Sequence, residues 1–210
     1  ASGTLRLRMI NAANARVLAF RLGVNRPMRV VALDGAPCDP FDLQTIRLAP
    51  AQRADTLVEM PAGELRLEEV STGEPVGAAV LQANNMAPAT ASQTTGTAWY
   101  KRPDLLGARV IDIHMQGGAM GNLASAEFEG EVLALRDLAQ EHSKLWAFNG
   151  IVGGYHHQLA DLAFGEVTAL RVWKDTRWEH GMHLHGHHFW VDSKKFGDKA
   201  LPVLRDTYLI

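Results

Sequence analysis

The pattern that most limits the fold is a strict two-residue alternation, repeated in short runs. From Thr4 onward Leu5, Leu7 and Met9 fall on one face and Arg6 and Arg8 on the other, until Asn11-Ala12-Ala13-Asn14 breaks the run. Successive side chains point to opposite faces of a β-strand, so this is a half-buried strand that ends in a turn. Similar runs follow at 17–22, 28–33, 45–48, 55–59, 65–70 and 76–82. They are separated by Asn25-Arg26-Pro27, Asp34-Gly35, Pro61-Ala62-Gly63 and Thr72-Gly73, residue types that supply turn backbone. Short strands at this spacing, with no sustained helical period before residue 120, predict an all-β sandwich or barrel. Further strands are expected at 109–115, 146–150, 167–173 and 205–210, with room for a short helix within 131–143.

Between 84 and about 108 the alternation lapses, and Pro88, Thr94-Thr95, Gly96 and Pro103 replace it. A connection this long without its own pattern marks a boundary. The expected division is therefore a first domain at 1–87, a linker at 88–108 and a second domain at 109–210. Twenty-one Lys and Arg nearly balance 23 Asp and Glu with no block of like charge. The chain thus has no electrostatic footprint for nucleic acid or a membrane surface. No apolar run is long enough to span a bilayer, and the single cysteine, Cys38, rules out an internal disulfide.

Five of the nine histidines crowd into Glu179-His180-Gly181-Met182-His183-Leu184-His185-Gly186-His187-His188. Imidazole is the commonest borderline metal ligand, and Leu184, Phe189, Trp190 and Val191 make the stretch strand-like rather than a polar tract. In an extended chain His183 and His185 share a face, while His180 points elsewhere. One segment can thus serve two metal centres. The spacing H-x-x-H-x-H also admits other chemistries. A zinc hydrolase using His183, His185 and His188 is one, although His187 stands where a metallo-β-lactamase-type site carries Asp.

The stretch Glu179–His188 resembles the H-P-x-H-L-H-G-H segment of multicopper oxidases of the laccase, bilirubin oxidase and cuprous oxidase type, with Gly181 in place of Pro. Leu5–Ala12 with Asn14-Ala15-Arg16, Asp34-Gly35 and Pro50–Asp55 resemble signatures of that family's second cupredoxin domain. Phe148-Asn149-Gly150 and Arg205-Asp206-Thr207 resemble those of its third. The resemblance implies two cupredoxin-like Greek-key β-sandwiches, the second incomplete at its C-terminus. It implies copper as cofactor: His180 on the type 1 copper, His183 on the type 2 copper and His185 on the binuclear type 3 pair. No catalytic residue beyond these ligands and no other cofactor site is implied.

The activity implied for the parent protein is one-electron oxidation of a small phenol, aromatic amine or metal ion at the type 1 copper. It is coupled to four-electron reduction of O2 to water at the trinuclear cluster, in the periplasm or outside the cell. The family's other H-x-H pairs and its His-Cys-His segment do not occur in these 210 residues, and Cys38 has no neighbouring His. The expectation is therefore a fragment, inactive alone, whose partners include a first domain and a C-terminal segment of the same protein. An unfinished sheet also suggests pairing between copies at an open edge. The other competing expectation is a non-catalytic cupredoxin-like structural module. Phe148, Trp173, Trp178 and Trp190 are expected in the core, Arg53 and Asp55 as a local ion pair, and His187 and His188 outside the ligand set.

Overall fold

The computed structural model describes residues 3–23, 26–82, 99–117, 120–154, 157–191 and 203–210. Residues 88–98 of the expected linker lie outside them. The first strands are β1 (Gly3–Ile10), β2 (Leu18–Leu22), β3 (Met28–Leu33), β4 (Ala36–Leu43), β5 (Thr45–Leu48), β6 (Arg53–Met60), β7 (Glu64–Glu69) and β8 (Val76–Gln82). Then come β9 (Arg109–Gly117), β10 (Ser125–Phe128), β11 (Glu131–Ala134), helix α1 (Leu135–His142), β12 (Trp146–Phe148) and β13 (Thr168–Lys174). The last are β14 (Gly181–His183), β15 (Phe189–Val191), β16 (Val203–Arg205) and β17 (Thr207–Leu209). The fold is all-β, with one short helix among the described residues.

Two compact units form. One contains described residues of 1–101 and 180–209, the other those of 102–179. In the first, β1-β6-β3-β4 and β5-β2-β7-β8 make two four-stranded antiparallel sheets, and the chain crosses repeatedly from one to the other. Met9, Val30, Leu33, Ala54 and Val58 of one sheet share a core with Leu22, Ile46, Leu48, Leu65 and Leu67 of the other. Two alternating sheets that bury one face each against the other are a sandwich. Val191 and Val203, on the antiparallel pair β15-β16, join the same core.

Strand β4 breaks the sequence expectation, since Ala36-Pro37-Cys38-Asp39-Pro40 reads as loop. It sits at the sheet edge, where a missing backbone N–H costs no ladder bond. The β3-β4 connection turns at Asp34 (φ 50°) and Gly35 (φ 86°), the pair of left-handed residues that suits a tight hairpin. Among buried polar groups Asn11 is fully satisfied. Its Nδ2 donates to Arg16 O and Leu48 O at 2.8 Å each, and its Oδ1 accepts from Ala13 N at 2.9 Å.

The second unit holds a sheet β12-β9-β13, with β9 and β13 parallel, and the hairpin β10-β11. That hairpin turns at Glu129-Gly130, both at positive φ, and the sequence reading missed it because each strand has only four residues. Across the parallel pair Arg171 meets Asp112 with a fork of 2.6 and 2.8 Å. The hydrogen bond from Arg171, reinforced by its charge and opposed by burial, holds the Asp112 carboxyl below its ordinary range. A carboxyl depressed by folding contributes stability that is complete above its unfolded value of about 3.9 and is lost as pH falls through the folded value. An NMR titration of Asp112 is expected to show a midpoint below about 3.9, and Arg171→Gln to return it there. A midpoint unmoved by that substitution would remove the assignment.

Candidate metal centre

The histidine-rich stretch is not one continuous strand. Strand β14 ends at His183, His185 and Gly186 form a turn with Gly186 at φ 76°, and β15 starts at Phe189. The turn keeps His183 and His185 together, with ring centroids 4.7 Å apart and planes at 76°. His180 lies just before β14 and is half-buried, as is Met182. Gly181 packs closely on the first sandwich, since a Cβ there would come 3.3 Å from the Ala49 Cβ.

What orients His183 is the start of β17, which pairs with β14 so that His183 faces Thr207. Its Nδ1 lies 2.9 Å from Asp206 O and 3.0 Å from Thr207 Oγ1. A carbonyl oxygen only accepts, and the Thr207 hydroxyl already donates to Asp206 Oδ1 at 2.8 Å. In the neutral ring Nδ1 therefore carries the proton, and Nε2 is the nitrogen whose lone pair a metal can take. Metal-binding histidines commonly donate their second ring N–H to a carbonyl or carboxylate in this way.

Residues of the first sandwich in turn pin β17. Gln52 Nε2 donates to Thr207 O at 2.9 Å, and Asp34 Oδ2 accepts from Arg205 Nε at 2.9 Å and from Thr207 N at 3.3 Å. Arg53 forks onto Asp206 at 2.9 and 2.7 Å. Burial pushes the Asp206 carboxyl up, but hydrogen bonds from Arg53 and Thr207 and the neighbouring positive charge outweigh it and leave the group below its ordinary range. The expected Arg53–Asp55 pair is thus corrected: Asp55 takes Arg6 at 2.6 Å and Arg8 at 3.1 Å instead. Strand register decides this, because Arg8 stands directly opposite Asp55 on β1-β6.

Among the described residues no group of three or more His, Cys, Asp or Glu is gathered to hold a metal. His183 and His185 are adjacent, whereas His188 packs edge-on against Trp99 at 5.3 Å and beside Tyr100 at 6.4 Å. The trio His183, His185 and His188 is not assembled. Two neighbouring imidazoles, one held in a ligating tautomer, do suit a share of the donor set of an oxygen-side copper. The core expectation for two aromatics is corrected as well. Trp173 and Trp178 are 44% and 53% exposed, and Trp173 stacks on His114 at 5.1 Å, with His114 3.4 Å from Asp175.

Cys38 is buried in the sandwich core, as a structural thiol should be. Burial first, then the Asp39 charge, push its thiol up to about 11 against the opposing effect of Arg205. At about pH 8 the folded protein is expected to leave Cys38 unmodified by a disulfide reagent for hours and to react at once in denaturant. Rapid reaction of the folded chain would contradict this placement.

Two sequence profiles, both described as multicopper oxidase, match residues 1–65 and 128–210, together more than half of the chain. The cell division protein FtsP of Edwardsiella tarda is 41% identical over 63 residues, a match covering 30% of this chain and 13% of that protein. The laccase-like multi-copper oxidase CueO from Ochrobactrum sp. superposes with a TM-score of 0.75 at 20% identity, covering 99% of this chain and 47% of that one. Lac15 from a marine microbial metagenome superposes with a TM-score of 0.63 at 25% identity, covering 99% and 46%. The chain thus spans less than half the length of these solved structures, and the CueO likeness carries the cupredoxin fold alone. With alternating strands, the H-x-x-H-x-H segment and two matching profiles in agreement, the chain belongs to the multicopper oxidase family.

Proposed function

We propose that this chain is part of an oxidase in which His180 serves the substrate-side copper and His183 and His185 the oxygen-side coppers. The observation that carries the reading is the His183 imidazole, whose Nδ1–H is committed to Asp206 O and Thr207 Oγ1, beside the His185 ring. Bound copper supplies one-electron transfer at a His- and thiolate-coordinated site and four-electron reduction of O2 at imidazole-rich ones. The chain's own residues set two imidazole rings side by side and commit Nδ1 of one to hydrogen bonds, so that its Nε2 is the nitrogen left to bind a metal. Gln52, Arg53 and Asp34 anchor the strand against which it leans. The substrate is a small reductant such as a phenol, an aromatic amine or a low-valent metal ion. The parent protein works in the periplasm or outside the cell, which cell fractionation tests.

We further propose that residues 1–87 and 109–210 descend from two successive cupredoxin domains of the parent, although the contacts of 180–209 group them with 1–101. A second reading has specific support. The FtsP relatives are named cell division proteins, so the parent could serve as a cupredoxin scaffold without turnover. Copper(II) titration of the 210-residue chain separates the two. The oxidase reading expects binding that His183→Ala and His185→Ala each weaken and His187→Ala does not. Binding indifferent to all three substitutions would favour the scaffold.

A further inference from the structure

We propose that Arg53, on the first sandwich, is a positioning residue that keeps the proton off the ligand atom of His183, acting through Asp206 and Thr207. The proposal rests on the reading of His183 as a copper ligand. The Arg53 guanidinium is held on both sides. Nη1 donates to Asp206 Oδ1 at 2.9 Å and to Ala51 O at 2.8 Å, and Nη2 to Asp206 Oδ2 at 2.7 Å and to Asp34 O at 2.7 Å. A planar fork against a carboxylate sets orientation as well as distance. With the carboxylate so fixed, its Oδ1 takes the Thr207 hydroxyl proton at 2.8 Å. The hydroxyl then has only lone pairs to offer His183 Nδ1, 3.0 Å away. Arg53 thereby reinforces, through a chain of three hydrogen bonds, the Nδ1–H form of His183 that the Asp206 carbonyl also favours.

Without the guanidinium the Asp206 carboxylate is free to rotate, and the Thr207 hydroxyl can turn and donate to Nδ1. That exchange admits the tautomer with the proton on Nε2, the atom a metal needs. The backbone around the site has separate anchors in Gln52 Nε2 to Thr207 O and Asp34 Oδ2 to Thr207 N. The side-chain change can therefore occur while the strand stays in place.

The test uses the 210-residue chain, free of metal, at about pH 8, above the ordinary imidazole value of about 6.5. Long-range proton–nitrogen NMR of the His183 ring is expected to show the Nδ1–H form in the wild type and a mixture of tautomers in Arg53→Gln. Copper(II) affinity is expected to fall about 10- to 100-fold in the same variant, the usual cost of losing a supporting contact to a ligand. Should Arg53→Gln unfold the chain, Thr207→Val carries the test. It keeps the side-chain volume and the Arg53–Asp206 pair, and is expected to weaken copper while Thr207→Ser does not. A merely structural role would lower stability and leave the tautomer unchanged. Wild-type tautomer and affinity in both Arg53→Gln and Thr207→Val, with His183→Ala still weakening copper, would overturn the proposal and spare the ligand reading. Copper binding unchanged by His183→Ala would overturn both.

Discussion

Replacing Asp34 by Ala lowers the unfolding free energy of the unit formed by 1–101 and 180–209 by about 3–5 kcal/mol, the cost of breaking a buried ion pair from one side. Asp34 is 2% exposed, and its Oδ2 faces Arg205 Nε at 2.9 Å, itself 2% exposed. Its Oδ1 accepts from Arg53 N at 2.9 Å. Removing the carboxylate takes the Asp34 partner from the buried Arg205 guanidinium and the acceptor from two backbone donors, Arg53 N and Thr207 N. Part of the loss is conformational, because Asp34 sits at φ 50°, where Ala is disfavoured by about 1–2 kcal/mol while Asp and Asn are tolerated. Asp34→Asn removes that component and isolates the charge. Combining it with Arg205→Met, which takes away the buried cation facing the changed carboxylate, should recover much of the stability. Urea unfolding followed by tryptophan fluorescence reads all three variants. An Asp34→Ala midpoint close to wild type would mean that the clamp is not formed in solution.

The second large effect is on activity. In the full-length parent protein, His183→Ala is expected to lower oxidase turnover on a phenolic dye by at least about 100-fold, more than the 10- to 100-fold that loss of a ligand's supporting hydrogen bond costs. The same variant should contain less copper per chain. His187 is exposed and outside the family's ligand pattern, so His187→Ala should stay within about twofold of wild type. His183 also contributes to the β14-β17 pairing, so a thermal melt of the variant must accompany the assay. Wild-type turnover in a correctly folded His183→Ala protein would remove this histidine from the copper site.

Much of this was readable from residue order, because strand character and turn chemistry are local. The alternation in β1, β3, β5 and β8 marked those strands, and Asp34-Gly35 marked a turn whose backbone is left-handed as such a pair allows. Strand β4 escaped because Pro37 and Pro40 argue against a strand wherever edge and centre cannot be told apart. The exposure of Trp173 and Trp178 escaped for a related reason: alternation says which residues share a face, not which face is covered.

The candidate site divides along the same line. The H-x-x-H-x-H spacing, by itself, singled out the imidazoles proposed to share a metal, and the tertiary structure sets the His183 and His185 rings 4.7 Å apart through a turn rather than along the extended strand that the spacing suggested. Spacing could not say that Asp206 and Thr207 orient the His183 ring, or that Arg53 and Asp34 reach the adjacent Asp206 and Arg205 from 153 and 171 residues away. Short-range order sets what each segment can become, since backbone propensity and side-chain period act over a few residues. Choosing which carboxylate neutralises which guanidinium is left to the tertiary structure. An ion pair or a fixed tautomer depends on distances of about 3 Å, and only the packed sandwich brings such distant groups that close.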